Sequence, residues 1–233
     1  MCYSMEASFA ASITLTGFAY VSNRVEQNSD EKILAKVPYL FAIQQGLEGI
    51  IWIYLDKGAE NLWHIKPFVY AWLLFALGIW PFFIPYSVYR VEKNPKIKKF
   101  QKISYLLGLA IGLSLLSWAF IHPIEAKISC YFAKPYCGSV LYVYEIISPK
   151  ILQWLYFLTT CLAVLLSTYT GLRFLGILIG ISFYFSYTVY AYVYTSMWCF
   201  FVAWVSSLIL LCLYFNKKRL DRQGQISALK STV

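Results

Sequence analysis

The chain has 233 residues, of which 60% are hydrophobic, 19% aromatic and only 13% charged, where a water-soluble domain carries about 25% charged residues. Seven membrane-spanning helices of about 20 residues need roughly 140 apolar positions, and this composition supplies them with nothing left for a second, soluble domain. The net charge of +9 comes from 20 Lys and Arg against 11 Asp and Glu, so the placement of the basic residues decides between nucleic acid and membrane topology.

Apolar stretches bounded by charges fall, in chain order, at residues 7–22, 37–55, 67–89, 103–121, 151–169, 174–192 and 195–215. The first lacks the positive n-region of a signal peptide, since no Lys or Arg precedes Arg24, and it is read as a mature helix. In the third, Trp80-Pro81 and Pro85 free backbone carbonyls and kink the helix. The 42 positions from 174 to 215 carry no charge. As one helix they would run about 63 Å, twice the hydrocarbon thickness, so a turn is expected between Tyr192 and Ser196. A β-barrel would show ten-residue segments of alternating polarity, whereas residues 106–116 and 162–166 are apolar all round. The expected fold is an all-α integral membrane bundle of seven transmembrane helices over residues 1–215, followed by a polar, frayed cytoplasmic tail over 216–233.

Basic residues sort under the positive-inside rule. Arg24, Lys32 and Lys36 lie between spans one and two; Arg90, Lys93, Lys96, Lys98, Lys99 and Lys102 between three and four; Arg173 between five and six; and Lys217, Lys218, Arg219, Arg222 and Lys230 in the tail. Lys57, Lys66, Lys127, Lys134 and Lys150 fall on the other side. Fifteen against five places the N-terminus outside and the C-terminus in the cytoplasm, with anionic headgroups of the bilayer as partner. Nucleic acid is excluded as a partner, because the charges are spread over separate short loops without a base-stacking module. Cys130 and Cys137 then fall in an outer loop, where disulfides persist; they are either bridged or two unpaired thiols. Cys161 and Cys212 sit mid-span and read as packing residues.

Ionisable residues within spans are functional hypotheses by default. Glu48 is the only carboxylate well inside one, about 11 residues from the cytoplasmic start of the second helix and so near mid-membrane. Phe41, Gln44, Gln45, Glu48 and Trp52 share one helical face, and Gly46 and Gly49 admit a neighbouring helix or a ligand. This face reads either as an interhelical hydrogen-bond clamp or as a polar pocket. Cys2, Glu6, His122, Trp198 and Cys199 fall on the same outer half by depth; their lateral convergence is not legible. With Met1 removed, Cys2 would be an N-terminal thiol whose amine serves as base, though anchoring of the first helix is the plainer role.

Several activities are excluded. No Lys in the seventh span holds a retinal Schiff base, Asp30, Asp56 and Asp221 all lie outside spans, and neither a Gly-x-Ser-x-Gly element nor His-Glu-x-x-His occurs. No metal site is expected from spacing, since none of the six cysteines has metal-type spacing and two histidines cannot supply a histidine-rich zinc site, while a mixed Cys, Glu and His set stays open. No cofactor is indicated.

Three segments carry a resemblance: Met1-Cys-Tyr-Ser-Met-Glu-Ala-Ser-Phe-Ala10, Gln44-Gln-Gly-Leu-Glu-Gly49 and Ser196-Met-Trp-Cys-Phe-Phe201. The chain resembles a family of uncharacterised prokaryotic multi-span membrane proteins that begin Met-Cys-Phe-Ser, carry a Gln-Gln-x-x-Glu-Gly helix and end with a Trp-Cys-Phe-Phe helix. Tyr3 stands where Phe is commoner. The resemblance implies one family-defining site of Cys2, Gln45, Glu48, Trp198 and Cys199 and a prokaryotic inner membrane; it brings no activity. The leading expectation is an outward-facing pocket around Glu48 for a small or lipidic ligand, in a transporter or receptor-like protein. The alternatives are a membrane-embedded enzyme acting on a lipid or isoprenoid through Cys2 or Cys199 with Glu48 or His122, and a structural subunit of a membrane complex.

Overall fold

The computed structural model describes residues 4–25, 28–58, 63–122, 125–129, 139–142, 150–191 and 193–231. Within them the elements run α1 Met5–Val25, α2 Ser29–Ala35, α3 Val37–Asp56, α4 Lys66–Leu73, a π-helical segment Leu74–Ile79, α5 Trp80–Val91, α6 Pro95–Ile121, strands β1 Ala126–Ser129 and β2 Ser139–Tyr142, α7 Lys150–Leu165, α8 Leu172–Val189, α9 Tyr194–Ser207 and α10 Ile209–Ser231.

Four helical rods are long and apolar enough to cross a membrane: Lys66–Val91, Pro95–Ile121, Leu172–Val189 and Tyr194–Gln223. The other three expected spans are helices too, but α1 and α3 carry more polar residues along their 21 and 20 positions, and α7 has only 16. The fifth helix stops at Leu165 instead of reaching residue 169 because Ser167 and Thr168 are bonded to Glu92. The last helix continues to Ser231, so the tail expected to fray is helical across residue 216. Large apolar side chains cover the outside, among them Ile13, 74% exposed, and Phe120, 70% exposed, as suits a lipid-facing surface and not a water-facing one.

Local chemistry sets the breaks. The side chain of Asn28 caps α2 by accepting from the backbone of Asp30 and Glu31, and Asn94 does the same for α6 ahead of Pro95. Gly171, at φ +85°, opens α8 with the Cys212 thiol 2.6 Å from where a Cβ would sit, so both backbone and space require glycine.

Pro81 and Pro85 account for the π-helical segment. A proline lacks the N–H that would bond the carbonyl four residues earlier and crowds that carbonyl with its ring, which frees the carbonyls of Leu77 and Pro81. Both face glycines of α6. A Cβ on Gly108 would lie 1.8 Å from the Pro81 oxygen, and one on Gly112 would lie 3.1 Å from the Leu77 oxygen and 3.0 Å from that of Gly78. The Gly108-x-x-x-Gly112 spacing thus lets the kinked third rod lie directly on α6. On the other flank, a Cβ on Gly46 would meet Ser12 Oγ at 3.3 Å and one on Gly49 the Phe9 ring at 2.9 Å; a neighbouring helix, α1, uses both glycines.

Candidate functional site

On α3, Gln44, Gln45 and Glu48 are fully buried and Phe41 and Trp52 nearly so, while Tyr39 and Ile43 on other faces are exposed. The 3.6-residue period puts the first five on one stripe, and that stripe faces the bundle. Three rods meet there. Ser196 of α9 donates its hydroxyl to Glu48 Oε1 at 2.6 Å, and Gln45 Nε2 donates to Glu48 Oε2 at 3.3 Å. Trp80 Nε1 of α5 donates to Gln44 Oε1 at 2.7 Å, and the Trp80 ring stacks on Phe41 at 3.8 Å.

Several groups around this carboxylate remain unmet. Gln44 Nε2, Gln45 Oε1, Trp52 Nε1 and Trp198 Nε1 are buried without a hydrogen-bond partner. A buried donor or acceptor left alone costs about 1–3 kcal/mol, and native interiors keep few of them. Trp80, the partner of Gln44, also lines an apolar cavity of about 30 Å³ together with Phe41, Tyr156, Trp198 and Cys199, a volume sufficient for one water. Tyr156, Phe157, Phe183 and Trp198 form an aromatic wall, with the Trp198 ring 5.1 to 6.1 Å from the other three. The β1–β2 hairpin packs against α3 and α9, and its buried Tyr142 stacks on Trp72 at 4.0 Å.

The candidate residues divide accordingly. Gln44, Gln45, Glu48, Trp52, Trp198 and Cys199 are brought into the buried interior. Glu6 is exposed on the first turn of α1. His122 ends α6 engaged by its own helix, with Nδ1 3.0 Å from the Trp118 carbonyl and the two rings 4.3 Å apart. Cys2, Cys130 and Cys137 lie outside the described residues. Ser196 and Trp80 are the partners that composition and depth do not single out: Ser196 lies in the stretch expected to turn, whereas the helix already begins at Tyr194, and Trp80 draws notice only as the residue before a proline. Among the described residues no group of His, Cys, Asp and Glu is placed to hold a metal ion.

A second set of buried carboxylates lies at the end shared by the α1–α3 connection, the α5–α6 loop, the α7–α8 loop and the last helix. Glu92 accepts from Asn94 N at 2.9 Å, Thr168 N at 2.7 Å, Ser167 Oγ at 3.1 Å and the Thr168 hydroxyl. Burial raises its pKa, but these hydrogen bonds outweigh that and hold the carboxyl below its ordinary range. Glu31 Oε1 accepts from Tyr169 Oη at 2.8 Å and Asn216 Nδ2 at 2.7 Å; burial and this carboxylate push the Tyr169 phenol up.

No curated protein and no solved structure matches the chain. A family model does, over residues 1–225, nearly the whole length. The protein belongs to the family of unknown function DUF6629.

Proposed function

We propose that this is a seven-span protein of the prokaryotic cytoplasmic membrane, N-terminus outside and C-terminus in the cytoplasm, whose Glu48 centre binds a small or lipidic ligand in a transporter or receptor-like role. The observation that carries this is the incomplete hydrogen bonding around a buried carboxylate: Gln44 Nε2, Gln45 Oε1 and Trp198 Nε1 have no partner while Glu48 is held by Ser196 and Gln45. A ligand with a polar end would complete these groups, and its apolar body would lie against Phe41, Trp80 and Tyr156. The cavity lined by Phe41, Trp80 and Trp198 holds only about 30 Å³, so such a ligand enters by parting of the helices, and the conformation described is closed. The basic residues gathered at the opposite end from the β1–β2 hairpin support the orientation.

The test is native mass spectrometry of protein extracted in mild detergent, wild type against Glu48→Gln. The proposal expects a retained non-covalent ligand in the wild type that is lost in a Glu48→Gln protein of unchanged melting temperature. Equal retention in both, or a bare wild-type chain beside a variant that fails to fold, would make Glu48 an interhelical clamp instead.

A further inference from the structure

At the loop end the bundle opens into a cavity of about 550 Å³, lined by Asp30, Glu31, Arg90, Glu92, Lys93 and Lys98 and, from the other side, by Thr168 to Thr170, Asn216 and Arg219. Ligand pockets occupy roughly 300–1,000 Å³, so its size suits a small molecule or a headgroup.

The ligand's charge follows from which groups the protein itself has used. Asp30 Oδ1 takes Arg90 through Nη2 at 2.6 Å and Nε at 2.9 Å, and Arg90 Nη1 goes to Tyr86 Oη at 3.0 Å. Glu92 faces four donors of the protein, and Glu31 accepts from Tyr169 and Asn216 among others. Both oxygens of Glu92, and one oxygen each of Asp30 and Glu31, are thus taken by donors of the protein. The basic side is different. Among the described residues Lys93, Lys98 and Arg219 have no carboxylate partner. The Lys98 ammonium rests 5.1 Å from the Tyr89 ring centre. Arg219 gives one hydrogen bond, from Nη1 to Thr170 Oγ1 at 3.3 Å, out of the five that a guanidinium can donate.

The unspent valence of this cavity is therefore donor valence on three cations, and that matches an acceptor-rich anion. We infer that the loop-end cavity is a binding site for a phosphate-bearing anion, held by Arg219, Lys93 and Lys98. This site is separate from the Glu48 centre, and its chemistry fits either a phospholipid headgroup or a soluble phosphate.

The test titrates the purified full chain, in a neutral detergent, with dioleoyl phosphatidate, with phosphate-free dioleoylglycerol as control, and separately with inorganic phosphate at constant ionic strength. Native mass spectrometry reads the lipid and calorimetry the phosphate. The expected result is saturable one-to-one binding of a phosphate probe that weakens by about tenfold or more in Arg219→Gln/Lys93→Gln, two exposed positions whose change leaves the melting temperature in place. It should survive Lys217→Gln/Lys218→Gln, which removes two tail charges outside the cavity. Binding of phosphatidate alone identifies a membrane headgroup as the source, and comparable dependence for inorganic phosphate identifies a soluble one. No saturable binding of either probe, or equal loss in the Lys217/Lys218 variant, overturns the site and leaves a diffuse basic surface.

Discussion

Two regions of this molecule bury carboxylates, and they complete them differently. At Glu92 four protein donors converge on the two oxygens, and the result is a loop pinned to a helix end. Around Glu48 the carboxylate is held, but the amides and indoles beside it are left with unmet groups. A network closed by the protein itself holds the fold together, whereas unmet groups beside a buried carboxylate leave donors and acceptors that a further molecule could satisfy. Burial alone does not distinguish them; the hydrogen-bond census does.

The largest expected effect is one that takes both regions down together. Gly108→Ala places a methyl against the Pro81 carbonyl, 1.8 Å from its oxygen, where only backbone movement relieves the clash. It should cost roughly 3 kcal/mol or more, read as loss of the thermal transition in detergent. Gly17→Ala is the control: nothing lies within 4 Å of that position, and alanine there should be neutral or gain up to about 1 kcal/mol.

The comparison itself is sharpened by the same isosteric change in each region. Glu92→Gln turns an amide N–H₂ toward donors already in place and should cost about 2–3 kcal/mol. Glu48→Gln should cost about 1 kcal/mol or less, because Ser196 still has an oxygen to donate to and a flipped Gln45 can offer the new amide its unmet Oε1. Melting temperatures of the two variants test this, and a larger loss at Glu48 than at Glu92 would reverse the assignment of roles.

Acid should expose Glu92 in the same way. Its hydrogen bonds hold the folded pKa below the ordinary carboxyl value of 4.5, so the ionised form stabilises the fold, in full at neutral pH. The contribution disappears as the pH falls from about 4.5 through the lower folded value. Thermal melts across that window should drop faster for the wild type than for Glu92→Gln. The smallest effect belongs to the Asp30–Arg90 pair, whose side chains are 44% and 32% exposed. Asp30→Asn should barely move the melting temperature, and less still at high salt, because solvent screens the pair.

The helical membrane class was legible in composition and hydropathy, as was the turn before Tyr194, because a charge-free 42-residue run cannot remain one helix in a bilayer. The disturbance of the third rod followed from Pro81 and Pro85, but which neighbour would absorb the freed carbonyls required knowing that α6 lies alongside. The buried stripe of α3 could be read from the helical period. Its partner Ser196 could not, since 148 residues separate the two and only packing joins them. Glu31 and Glu92 are not legible as buried because they stand among lysines in the connections between spans, where a carboxylate reads as a solvated charge; Thr168, Tyr169 and Asn216, which bond them, are distant in sequence.

The most direct measurement is a density map of the protein in a lipid nanodisc, at a resolution that places non-protein atoms around Glu48. Density is expected within hydrogen-bond distance of Gln44 Nε2 and Trp198 Nε1, weakened in Glu48→Gln. A dry, closed interior in which the Gln44 and Gln45 amides satisfy each other, identical in both proteins, would contradict it.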